Sequence, residues 1–300
     1  LIDLNEKERI KIKKDKINIC LIGFCCDEGI IRNSGRPGAK EGPEYIRREF
    51  ANLPVSYPEV LSLYDAGNII CEGINLEFFQ NELRKVIKII LEKKMFPVVI
   101  GGGHEIALGH FLGISEFLKE SGNNDKFGII NFDAHFDLRP YEEKGSSGTM
   151  FSQIADHCIN ENIPFNYLCL GIQTSANTVN LFKKADALDV KYILAKEFKT
   201  HDEQFIRNRV QDFTDANKKI YVSICSDVFN SAFAPGVSSI QPFGMDPEVV
   251  LQYLKIILRS KKVVSFDIAE VSPRFDHDRR TAKLAAVLIY AVINTLLEDK

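Results

Sequence analysis

The sequence predicts an α/β protein built on a mainly parallel sheet with helices on both faces, and three observations predict it. Eight short runs are rich in apolar and β-branched residues. They read as continuous rather than alternating apolar strands, the pattern of strands buried on both faces. Segments of helical periodicity stand between them, as the crossover connections of a parallel sheet require.

The first run, INICLIGF (17–24), is followed by RNSGRPGA, a Gly/Pro turn ahead of a helix. LSLYDAG (61–67) gives the second strand, and LEFFQNELRKVIKIILEKK (76–94) has the apolar spacing of a helix. PVVIG (97–101) leads into the helical HEIALGHFLGISEFLKE (104–120). Four further strands are FGIINFD (127–133), NYLCLGI (166–172), KYILA (191–195) and KIYVSICSD (219–227). The helical DPEVVLQYLKIILRS (246–260), the strand KVVSFDIAE (262–270) and the apolar LAAVLIYAVINTLL (284–297) complete the pattern. No repeat or linker divides the chain, so one domain is expected over 17–300 after a charged lead-in, 1–16.

Composition narrows the function classes. A net charge of −3 gives no electrostatic footprint for nucleic acid or an anionic membrane. The stretch EKERIKIKKDK alternates in sign and reads as a solvated lead-in. Its charge gives no expectation of a signal segment, and the run at 284–297 is interrupted by Asn294 and shorter than a bilayer span. A buried C-terminal helix is expected there. Seven cysteines, mostly within apolar runs and without a CxxC pair, read as reduced residues of a cytoplasmic protein.

The strand ends hold the chemistry. PVVI runs into GGGHE and so to His104; FGIIN runs into FDAHFD, with Asp133, His135 and Asp137 at alternate positions. KIYVSI ends at Cys225 and Asp227, and KVVSF at Asp267 and Glu270. In a parallel sheet the carboxyl ends share one edge, where open α/β folds bind ligands. In an extended backbone, residues two apart face the same side, so the DAHFD groups could converge on one point. So many carboxylates repel one another unless a cation neutralises them. Oxygen donors with one or two imidazoles suit Mn²⁺ better than a thiolate-bound zinc, and there are enough for two ions. Cys225 reads equally as a thiolate ligand or as a small buried hydrophobe. Glu270 could instead pair with Arg274. Asn33, Arg36 and Arg139 are polar groups able to face the same edge.

These motifs resemble the ureohydrolase (arginase/agmatinase) superfamily, most closely its formimidoylglutamase branch. The resemblance spans nearly the whole chain and rests on six stretches in the family's order: CDEGIIRNSGRPGAKEGPEYIR (26–47), GGGHE (101–105), DAHFDLR (133–139), SSGTMF (146–151), SICSDVFNSAFAPGVS (223–238) and SFDIAEVSPRFDHDRRTAKLAA (265–286). It implies a three-layer α/β/α sandwich around a mainly parallel eight-stranded sheet. His104, Asp133, His135, Asp137 and Asp227 fall on the family's manganese ligands, and Glu270 on the acid that holds the amidine or guanidine nitrogen. Asp137 is the implied proton relay. Family members commonly form homo-oligomers.

Two positions depart from the family's usual pattern. Cys225 replaces a carboxylate that bridges both metals, which bears on the second ion. Phe151 stands where arginases have a proton-transferring His, and this fits the formimidoylglutamase branch. N-formimino-L-glutamate carries two carboxylates, which suit Arg36 and Arg139. The expected reaction is its Mn²⁺-dependent hydrolysis to L-glutamate and formamide. The alternatives are an arginase- or agmatinase-type guanidino hydrolase and a metal-poor, non-catalytic relative. A disulfide from Cys25 or Cys26 to Cys225 is a further expectation, subject to distance.

Overall fold

All eight expected strands form, and every pairing between them is parallel. The computed structural model describes residues 12–122 and 126–298, so most of the charged lead-in lies outside the described residues. The strands are β1 (Ile17–Cys25), β2 (Leu61–Ile70), β3 (Phe96–Gly101), β4 (Phe127–Phe132), β5 (Asn166–Ile172), β6 (Lys191–Leu194), β7 (Lys219–Cys225) and β8 (Val263–Ala269). They lie in the order β2-β1-β3-β8-β7-β4-β5-β6.

The helices are α1 (Glu28–Arg32), α2 (Gly42–Phe50), α3 (Leu76–Glu92), α4 (Ile106–Glu120), α5 (Met150–Asn160), α6 (Val179–Ala187), α7 (Glu197–Thr200), α8 (Glu203–Ala216), α9 (Pro247–Arg259) and α10 (Arg280–Leu297). Helices α1, α5, α6, α7 and α8 fall where the sequence predicts no helix: their sequences are short or polar, and their helicity depends on docking to the sheet.

Each strand supplies both faces of the core, because successive side chains point in opposite directions. Ile19 and Leu21 join one apolar cluster with α2, α8, α9 and α10. Cys20, Ile22 and Phe24 join the other with α3, α4, α5 and α6. The result is three layers. Gly109 lets α4 lie directly on α3, since a Cβ there would come within 2.5 Å of the Gln80 carbonyl oxygen. Helix α10 is the one described helix long and apolar enough to cross a membrane, and it is a core helix here. Its buried residues include Ala285, Leu288, Ile289 and Val292.

Spatial order matters most for function. The strands with donor residues at their carboxyl ends, β3, β8, β7 and β4, are consecutive in the middle of the sheet. Neighbouring strands lie about 4.8 Å apart, so their ends fall within side-chain reach of one another.

Candidate metal centre

His104, Asp133, His135, Asp137, Cys225 and Asp227 meet at this edge. Nδ1 of His104 lies 3.0 Å from Asp133 Oδ2 and 3.1 Å from Asp137 Oδ2. Nδ1 of His135 lies 3.1 Å from Asp227 Oδ2 and 3.5 Å from Asp133 Oδ1. Donor atoms of His104, Asp133 and Cys225 fall within 4.8 Å of one another, and so do those of Asp133, His135 and Asp227. Asp133 belongs to both sets.

The convergence of DAHFD has a different cause from the extended alternation expected. Strand β4 stops at Phe132. Beyond it the backbone is a loop in which Asp137 adopts a left-handed conformation, φ 50°. Asp133 Oδ1 accepts the His135 backbone N–H at 2.8 Å and fixes the turn. The same carboxylate thus fixes the turn and belongs to the donor cluster.

The GGG stretch serves close backbone packing. A Cβ on Gly102 would sit 1.8 Å from the Cys26 carbonyl oxygen, so Gly102 lets the loop cross the end of β1. The next amide, Gly103 N–H, donates to that carbonyl at 2.9 Å. His104 is thereby anchored to the sheet.

Burial opposes charge on both imidazoles, yet their carboxylate neighbours win. Asp133 and Asp137 push His104 well above the ordinary histidine range, and Asp227 and Asp133 do the same for His135. Burial and the neighbouring Asp133 raise Asp137 to about 6. Burial raises the Cys225 thiol well above its ordinary value, helped by Asp133 and Asp227. Protons therefore neutralise the cluster when no other cation does.

Glu270 stands above the cluster with its carboxylate half used. Its Oε1 accepts the His104 backbone N–H at 3.0 Å, and its buried Oε2 accepts nothing. Burial and the charge of Asp227 push it up to about 8. No ion pair to Arg274 is present among the described residues; that guanidinium lies over the Phe275 ring. Glu270 itself is held at φ 66°, and its N–H donates to the Gly102 carbonyl at 2.8 Å.

A cavity of about 260 Å³ opens over the cluster and is lined by Asn33, Arg36, Arg139, His104, His135, Asp137, Cys225, Asp227 and Glu270. Ser34, Ser147, Ser238 and Ser239 also line it, residues for which the sequence offered no signal beyond their place in the motifs. Arg139 Nη1 donates to Asn33 Oδ1 at 2.7 Å. Arg36 donates to the backbone carbonyls of Ser238 and Val237 at 2.9 and 2.6 Å and lies 4.1 Å over the Phe275 ring. Phe151 is buried, edge-on to His104 with ring centroids 5.7 Å apart.

The expected disulfide to Cys225 does not form. All seven cysteines are free, and β1 and β7 are separated by β3 and β8. Three strand spacings place the chain ends roughly 14 Å apart, beyond the ~7 Å Cα limit of a disulfide. Cys26 instead lies within hydrogen-bonding reach of Cys71.

The donor set fits a cation. Three carboxylates and two imidazoles are gathered in a buried site, and Asp227 Oδ1 is buried without a partner. Oxygen and nitrogen donors predominate, the chemistry of a hard or borderline divalent ion. Fold and site together define an α/β protein whose parallel sheet presents a metal-type donor cluster at its carboxyl edge. The chain belongs to the arginase family, whose profile matches residues 17–294.

It is 53% identical to the formimidoylglutamase of Clostridium tetani over 296 residues, covering 98% of this chain and 87% of the relative. The formimidoylglutamase of Lysinibacillus sphaericus is 42% identical, covering 94% and 86%. A structure of Trypanosoma cruzi formiminoglutamase with Mn²⁺ superimposes with a TM-score of 0.82 at 24% identity, covering 97% of each chain. That likeness establishes the fold.

Proposed function

We propose that this chain hydrolyses N-formimino-L-glutamate to L-glutamate and formamide, using Mn²⁺ held by His104, Asp133, His135, Asp137, Cys225 and Asp227. The reading rests on two unlike groups in one cavity. Glu270, one oxygen of which is buried without a partner, lines it together with Arg139 and Asn33. A cationic formimidoyl head matches the carboxylate and an acidic tail matches the guanidinium. The similarity to formimidoylglutamases over nearly the whole chain supports the same substrate.

A bound ion would supply Lewis-acid polarisation and a water of lowered pKa. The chain's own groups do the rest. Glu270 Oε2 accepts an amidinium N–H and holds the reacting carbon over the cluster. Asp137, which lines the cavity at the edge of the donor cluster, passes a proton to the departing amine. Arg139, positioned by Asn33, pairs with a substrate carboxylate.

The test is to incubate the Mn²⁺-loaded chain separately with N-formimino-L-glutamate, L-arginine and agmatine. Formamide and glutamate from the first are the expected products. Urea from either guanidino compound would assign guanidino hydrolysis, and no product from any would leave a non-catalytic protein.

Arg139→Ala is expected to raise KM for formiminoglutamate about 5–30-fold, a loss of ~1–2 kcal/mol reduced by the exposure of this side chain. A neutral formamidine should be unaffected. Equal losses for both substrates would make Arg139 a scaffold residue.

Metal retention should rise with pH. His104, His135, Asp137 and Cys225 all bind protons more tightly than usual, and each must release its proton to ligate an ion. Dialysis at about pH 6 should therefore strip more Mn²⁺ than dialysis at about pH 8. Cys225→Asp should increase Mn²⁺ per chain towards two, since a carboxylate offers two hard oxygens in place of one soft sulfur. Elemental analysis of parent and variant across pH reads both effects; two tightly held ions in the parent at mildly acidic pH would make Cys225 a bystander.

A further inference from the structure

Behind His104, away from the cavity, runs a chain of hydrogen bonds through the middle of the sheet. His104 Nε2 lies 2.9 Å from Ser223 Oγ on β7. Ser223 is the register partner of Asp267 on β8, and its hydroxyl donates to Asp267 Oδ1 at 2.6 Å. Asp267 Oδ2 receives the Tyr221 hydroxyl and faces His110 Nδ1 at 2.6 Å. His110, on α4, faces Ser265 Oγ through its other nitrogen at 2.5 Å. Ser223, Asp267, Tyr221, His110 and Ser265 are all 0% exposed. Nothing in the proposed reaction uses them directly.

We propose that Ser223 and Asp267 are positioning residues that fix the tautomer and aim of His104, with Tyr221 and His110 holding Asp267 in place. The donor directions lead to this. Asp267, surrounded by donors, accepts at both oxygens. The single hydrogen of Ser223 Oγ is committed to Asp267, so the same oxygen can only accept from His104. Nε2 of the imidazole therefore carries a hydrogen. Nδ1 faces Asp133 Oδ2 and Asp137 Oδ2 at 3.0 and 3.1 Å, where the two carboxylates hold a second proton when no other cation is bound. An ion that takes the place of that proton meets the Nδ1 lone pair already aimed between the two carboxylates.

The hydrogen-bond partner of a metal-binding imidazole sets which nitrogen is free to ligate and raises its basicity. A buried carboxylate inside a sheet is unfavourable unless each of its oxygens is bonded, as they are here. The inference rests on the metal-centre reading and extends it beyond the residues that line the cavity.

The test measures Mn²⁺ affinity by equilibrium dialysis for the parent and for His104→Ala, Ser223→Ala, Ser223→Thr and Asp267→Asn, with near-UV circular dichroism to establish folding. His104→Ala identifies the ion that depends on this histidine. Ser223→Ala should weaken that ion's binding about 10–100-fold, the usual effect of removing such a partner. Ser223→Thr keeps the hydroxyl and should restore parental affinity. Asp267→Asn should weaken binding at least as much as Ser223→Ala. Its amide can donate to Ser223, turning that hydroxyl towards Nε2 and moving the imidazole hydrogen onto Nδ1.

Parental affinity in folded Ser223→Ala would overturn the proposal. So would a folded Ser223→Thr as weak as the alanine variant, because the loss would then follow packing and not the hydroxyl. Should Asp267→Asn fail to fold, the two serine variants decide alone. A parent that binds no Mn²⁺ would overturn the metal-centre reading itself. Retention of the ion in Ser223→Ala with its loss in His104→Ala would overturn only the positioning role.

Discussion

Replacing Asp133 by Asn should lower kcat/KM by ~10³-fold or more and release Mn²⁺ from both donor sets. Removing one electrostatic stabiliser of a transition state typically costs ~10²–10³-fold. Asp133 has a larger role, because it is the one residue common to both groups of donors. Its oxygens also separate the histidines: Oδ2 faces His104 and Oδ1 faces His135. Asparagine retains an acceptor for the His135 backbone N–H, which Asp133 Oδ1 receives at 2.8 Å, so the loop can keep its shape. What is lost is the charge and one ligand oxygen. Metal analysis and steady-state kinetics on the same folded sample check the result. A variant with parental metal content and parental kcat/KM would sink the metal-hydrolase reading.

Glu270→Gln should lower kcat/KM by ~10²–10³-fold while leaving metal content unchanged. The parent carboxylate accepts the His104 N–H through Oε1, lines the cavity and keeps Oε2 as its unpaired acceptor. Glutamine can reproduce the first contact with its carbonyl oxygen. Its NH₂ then replaces the acceptor with a donor, facing the N–H groups of an amidinium. Attraction becomes repulsion at the point where the substrate's positive charge must be held. Glu270 is in neither donor set, so Mn²⁺ should stay. Loss of metal together with activity would show that Glu270 acts by clamping the His104 loop and not by touching substrate.

Much of the fold was legible because its signals are local. A run such as FGIINF is apolar at every position, and only a strand covered on both faces buries every side chain. The helices at 76–92 and 247–259 are strongly periodic, and α9 also begins with Asp246 capping the Glu248 N–H and a proline at its start. Helices α5 and α8 were illegible for the opposite reason. Their sequences, MFSQIADHCIN and EQFIRNRVQDFTDA, give weaker patterns that only the sheet surface completes. At the site, donor identity was legible and geometry was not. The pairing of His110 with Asp267 was not legible, because a helix position and a carboxylate within a strand give no local sign that they meet.

The sequence by itself determined that eight buried strands alternate with helices, and that four of them end in imidazole, carboxylate or thiol groups. Those properties follow from residue type and spacing along a continuous chain. Tertiary structure decided that these four strands are neighbours, in the order β3-β8-β7-β4, although 86 residues (133–218) separate β4 from β7. It also turned DAHFD inward through a left-handed Asp137, kept Cys225 far from Cys25 and Cys26, and set Asp267 behind His104. The physical reason is that strand order is a choice among non-local backbone pairings. Each strand's own residues favour burial in a sheet, while its neighbours are selected by the packing of the helical layers and the crossovers that join them.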